Sequence, residues 1–213
     1  MKNNRLIPIA VALSLLLLLA MPAHVVPQQK AAAPPAASAG PKALLPVLVT
    51  SCGQSPGPDQ FKIFLGRLKM DFIYKVDATP ADLNAKSPAG APIKTVIIVT
   101  GASLKGMGAA GVSIDDELAR IKDLIAAAKK QNIKIIGAHV EGMTRRAQGA
   151  DPGDNTDEQT IDAVCPFSSL LLVKKEGDGD GRFTTISKGK GIPMVTYEKN
   201  MELQNVLQAL FGK

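Results

Sequence analysis

Residues 95–140 read TVIIVTGASLKGMGAAGVSIDDELARIKDLIAAAKKQNIKIIGAHV, and this stretch decides the fold. Two short runs dense in Val and Ile, 95–100 and 133–140, bracket a segment of helical periodicity. Within it Ile114, Leu118, Ile121, Ile125 and Ala128 fall on one stripe. Ser113 is a good N-cap, Asp115 to Glu117 suit the positive end of the helix dipole, and Lys129 and Lys130 suit the negative end. Strand, helix and strand in succession imply a parallel pair with a covering helix.

The same alternation extends outward in both directions. Upstream, strands are expected at 44–50 and 72–76, joined by a loop at 51–58 and a helix carrying Phe61, Phe64, Leu65 and Leu68 on one face. The connection 77–92 has room for one short helix near 81–85. Downstream, a polar loop at 141–155 precedes a helix at 156–164, a strand at 170–174, a helix near 183–188, a strand at 193–197 and a last helix bearing Leu203, Val206, Leu207 and Leu210. The expected fold is a three-layer α/β sandwich, flavodoxin-like, with a mostly parallel sheet of order 2-1-3-4-5 and a sixth strand.

The chain has 213 residues, and the first forty read differently. Lys2 and Arg5 precede an apolar run from Leu6 to Met21, followed by Pro22 and Ala23, which has the form of a secretory signal over 1–23. Cleavage is expected after Ala23, although Met21 fits the −3 position poorly; uncleaved, the run is long enough to anchor the chain in a membrane. Residues 24–42 are mostly Ala, Pro, Gln and Ser and read as a tether. Residues 43–213 form the single α/β domain, and the expected location is periplasmic or extracellular, with membrane contact only through an uncleaved signal. A net charge of +6, with no basic run, argues against nucleic acid as a partner. With no Trp and two Tyr, aromatic platforms for sugars or bases are scarce.

In an open sheet of this order, ligands sit beyond the carboxyl ends of the strands, where the first and third strands part. Three loops leave that edge. In the first, Ser51, Gln54 and Ser55 offer hydrogen bonds near a helix N-terminus. In the second, Gly101, Ser103 and Lys105 lie in a glycine-rich stretch that resembles a dinucleotide-binding loop. Its glycine spacing and its place after the third strand do not fit that motif, so no cofactor is expected. In the third, Arg145 and Arg146 add positive charge, with Glu141 as the carboxylate that could pair with one of them. The expected function is non-catalytic recognition of a small anionic molecule by Ser51, Gln54, Ser55, Gly101, Ser103, Lys105, Arg145 and Arg146. A hydrolase or transferase using Cys52 or Ser51 is the alternative, with His139 or Glu141 the only visible bases. A domain that docks a protein partner is the second alternative. The run Glu176-Gly-Asp178-Gly-Asp180-Gly181 imitates the start of a calcium loop, but its twelfth position is Ser187, so it reads as a βα turn and no metal site is expected. Cys52 and Cys165 fall at opposite edges of the sheet and are expected to be unbonded.

The strings VTSCGQSPG (49–57), VIIVTGASLKGMGAAG (96–111) and IIGAHVEGMTRRAQG (135–149) resemble a bacterial family known as domain of unknown function 6305. The resemblance covers about residues 45–210. It implies an exported or membrane-tethered α/β domain with no assigned activity, and it puts the three distinctive strings in the three loops singled out by topology.

Overall fold

The structure, a computed structural model, describes residues 43–147 and 155–212. The signal and tether expected over 1–42 lie outside the described residues, as does part of the expected polar loop, 148–154. Among the described residues no helix is long and apolar enough to cross a membrane.

Among the described residues six parallel strands run β1 (Val47–Cys52), β2 (Phe72–Tyr74), β3 (Thr95–Thr100), β4 (Lys134–His139), β5 (Leu170–Lys174) and β6 (Met194–Tyr197). Their order across the sheet is β2-β1-β3-β4-β5-β6, the doubly wound arrangement expected. Helices α1 (Pro58–Arg67) and α6 (Glu202–Phe211) cover one face. On the other lie α3 (Ile114–Lys130), α4 (Thr156–Val164) and α5 (Arg182–Lys190). Alternation along each strand separates the two cores. Val47, Val49, Ile97 and Val99 meet Phe61, Phe64 and Leu65, whereas Leu48, Val96 and Ile98 meet Ile121, Leu124 and Ile125. Strands buried on both faces explain the unbroken Val/Ile runs.

Two local expectations are corrected. The first strand begins at Val47 and continues through Ser51 and Cys52, three residues later than its apolar run suggests. Pro46 has no N–H to give the ladder; its carbonyl accepts from Lys94 and Thr95 instead. The glycine-rich stretch is not an open loop either: Leu104–Ala110 form helix α2. Ser103 Oγ accepts the Gly106 N–H at 3.0 Å, Gly111 ends the helix in the left-handed conformation, and a Cβ on Gly106 would collide with the Gln54 carbonyl.

Candidate functional site

The first loop is held rigidly by a buried carboxylate. Glu117, four residues into α3, is 2% exposed and points at the tip of β1. Its Oε2 accepts the Gly53 N–H at 2.9 Å and its Oε1 accepts Gln54 Nε2 at 2.9 Å. Arg120 pairs with the same carboxylate at 2.8 Å and donates to the Ser51 and Ala78 carbonyls, both at 2.7 Å. Burial alone would raise the Glu117 pKa. The bonds from Arg120, Gly53 and Gln54 outweigh it and hold the carboxyl below its ordinary 4.5.

Ser51 and Gln54 are therefore spent on structure: Ser51 Oγ accepts the Gln54 N–H at 2.8 Å, and Gln54 bridges to Ala102. Cys52 does not meet the helix N-terminus. It faces the α3 core with no exposed surface, because it follows Leu48 and Thr50 on the even face of β1. Burial, and after it the Glu117 carboxylate, push its thiol far above the ordinary 9.0, the reverse of what a nucleophile needs. Iodoacetamide at pH 8 should leave Cys52 unmodified in the native protein, with alkylation appearing in the intact mass only after denaturation. Labelling of the folded chain would contradict this burial. Cys52 and Cys165 are both free. Burial raises the Cys165 thiol as well, and charge at Cys52 would raise it further.

The two arginines part company. Arg145 turns toward the expected site: Nη1 donates to the Ala102 carbonyl at 2.7 Å, Nε meets Glu141 Oε1 at 3.4 Å, and its side chain lies beside Gly101 together with Ser55 Oγ. Arg146 turns away from it and is buried, forked onto Asp180 and bonded to Glu158 and the Gly177 carbonyl. Glu141 pairs with one arginine, Arg145, as its place in the sequence allowed, whereas Arg146 takes acids from α4 and from the turn before α5 that nothing near it in sequence indicates. Lys105 lies exposed in the first turn of α2, and Ser103 Oγ is used as its cap.

What the structure does bring together is Ser55, Gly101, Glu141 and Arg145, with Gln60 of α1 and Asp157 of α4 at the margin. Asp157 accepts the Ala102 N–H at 2.6 Å; burial raises its pKa despite that bond and the nearby Arg145 charge. Glu141 Oε2 lies against Gly57, where a Cβ would come within 2.9 Å of it. Gln60 Nε2 donates to the Val140 carbonyl at 3.4 Å. Two acceptors of this group, Gln60 Oε1 and Glu141 Oε2, are buried and find no donor among the described residues. Gln60 was missed from sequence; its place in the first turn of α1, facing the tip of β4, was the available signal.

His139 is on the opposite face of the sheet. Its Nε2 donates to the Gly142 carbonyl at 2.9 Å, which leaves Nδ1 to accept from Thr100 Oγ1 at 3.0 Å, and the ring lies against Phe183. Burial lowers its pKa, so the ring stays neutral and fully engaged. The aspartates of the calcium-like run are also committed. Asp178 accepts the Phe183 and Thr184 N–H groups at the start of α5, and Asp180 pairs with Arg146.

Fold and cluster define a doubly wound α/β domain with a polar group at its switch point. The chain belongs to the family described as domain of unknown function DUF6305, whose model matches residues 45–211. No curated protein and no solved structure matches it.

Proposed function

We propose that this is an exported, non-catalytic domain that binds a small molecule between the tips of β1, β3 and β4. The observation that carries the reading is the pair of buried acceptors without donors, Gln60 Oε1 and Glu141 Oε2. A buried polar atom left unpaired costs about 1–3 kcal/mol, so two in one cluster point to a missing donor. Glu141 adjoins Arg145, whose Nη2 lies outside the bonds to Ala102 and Glu141, and Gln60 is bonded to the Val140 carbonyl next to Glu141 in the chain. The ligand therefore carries hydrogen-bond donors toward Gln60 and Glu141 and an anionic group toward Arg145, with Lys105 on the rim. Catalysis is disfavoured by the buried thiol of Cys52 and by Ser51, whose hydroxyl supports its own loop.

Native mass spectrometry of protein purified from its own host should show a retained small molecule, lost on acidification. Arg145→Ala should abolish that retention. Glu141→Ala should do the same while changing the melting temperature of the empty protein little, since removal of the unsatisfied Oε2 offsets loss of the long pair from Oε1 to Arg145. A bridging water would satisfy both acceptors instead, and a host-purified chain of bare polypeptide mass would favour that.

A further inference from the structure

A second region, on the other face of the sheet and toward its amino edge, has a different chemistry. Leu118, Lys122, Ile125 and Lys129 follow one another at helical spacing along α3, so two apolar and two basic side chains share a stripe. Beside that stripe, Ala163 of α4 and Phe167 complete a groove of about 340 Å³, inside the range of small-molecule sites. Its lining is apolar except for Lys122. Phe167 is 48% exposed, unusual for its size, and divides this groove from a more open hollow of about 290 Å³. Lys129 Nζ stands 5.0 Å from the centre of its ring. Neither Lys122 nor Lys129 has an ion-pair partner among the described residues; the neighbouring carboxylate, Asp123, is exposed on the adjacent stripe.

We infer that this groove binds an amphiphilic anion, an aliphatic chain ending in a carboxylate. The chain lies on Leu118, Ile125, Ala163 and the Phe167 ring beside Lys122, and the carboxylate reaches Lys129 at the Phe167 end. Charge complementarity selects this occupant: an apolar trough with Lys122 along its side and Lys129 beyond Phe167, neither in an ion pair among the described residues, suits a negative head on an apolar tail. The groove shares no residue with the polar cluster at the strand tips, so either site could fail without the other.

The test uses the full chain and sodium decanoate, read by displacement of the dye 8-anilinonaphthalene-1-sulfonate, with decyltrimethylammonium as the matched cation. Decanoate should bind saturably, one per chain, below the concentration at which it aggregates, and much more tightly than decyltrimethylammonium. Ala163→Leu fills the trough and should weaken binding at least tenfold. Lys122→Gln with Lys129→Gln should weaken it about fivefold and remove most of its salt dependence, as expected of exposed charge pairs. This second variant alters only exposed side chains, so it should keep the wild-type fold if Ala163→Leu does not. Equal binding of the two amphiphiles, or wild-type binding by both variants, would overturn the assignment. So would a concentration-dependent dimer dissociated by Phe167→Ser, which would give the groove to a second copy of the chain.

Discussion

Arg146→Ala should destabilise the ligand-free domain by about 3 kcal/mol, near the lower end of the cost of breaking a buried ion pair. The side chain is 2% exposed and every nitrogen is engaged. Nε meets Glu158 at 2.5 Å; Nη1 and Nη2 fork onto Asp180 at 3.1 and 2.6 Å; Nη1 also reaches the Gly177 carbonyl. The guanidinium lies 5.5 Å from the Phe183 ring centre. One residue thus ties the segment after β4 to α4 and to the turn before α5. The loss stays near the low end because Glu158 also has Arg182 within 3.7 Å and Asp180 is 39% exposed, so neither acid is stranded. For a domain of this size the midpoint should fall by about 6–12 °C. Arg146→Lys should recover little, since an ammonium cannot reproduce the fork. Thermal and urea unfolding monitored by circular dichroism decide the matter. An unchanged midpoint, with loss only of ligand-induced stabilisation, would return Arg146 to the binding site.

Much of this architecture is written in local chemistry. The β-branched density of Thr95–Thr100 and the capping box of Ser113 with Asp116 place β3 and α3 directly, and α4 and β5 follow from the same kinds of signal. Helix α2 is hidden because glycines at 106 and 108 disfavour a helix, and the caps at Ser103 and Gly111 decide against that propensity. The site is less legible than the fold for a geometric reason. Adjacent side chains diverge, so Arg145 and Arg146, one motif in sequence, serve a strand-tip cluster and a buried clamp. The clamp's acids stand 12 and 34 residues away, and nothing local announces them. The two-residue period would have turned Cys52 into the core once β1 was extended to it. Gln60 reads as an ordinary polar residue of a first helical turn until β4 delivers Glu141 beside it.

Glu117 is the clearest instance of that hidden chemistry, and Glu117→Gln should cost about 3 kcal/mol while exposing Cys52 to reagents. In sequence it is a third acid in a helix's first turn, with Arg120 at i+3, a pair that would normally be solvated and worth little. In the fold it anchors the β1 tip through Gly53, Gln54 and Arg120 together. An amide keeps the shape but removes the charge that balances Arg120. It also replaces one acceptor with an N–H that must face another donor, because the groups around both oxygens are donors. The pH dependence follows from the depressed carboxyl. The folded state holds Glu117 ionised below 4.5 whereas the unfolded chain protonates there, so its contribution is present above pH 4.5 and is lost as pH falls through the folded value. The variant should therefore be less stable at neutral pH and should lose less on acidification than the wild type. After burial, the Glu117 charge is the strongest influence raising the Cys52 thiol, and Arg120 opposes it. Removing the carboxylate leaves the arginine's pull unopposed and loosens the loop above, so Cys52 should alkylate measurably faster in the folded variant. A variant that unfolds at the wild-type midpoint, with the wild-type acid profile and an inert Cys52, would show that Glu117 only decorates the surface of α3.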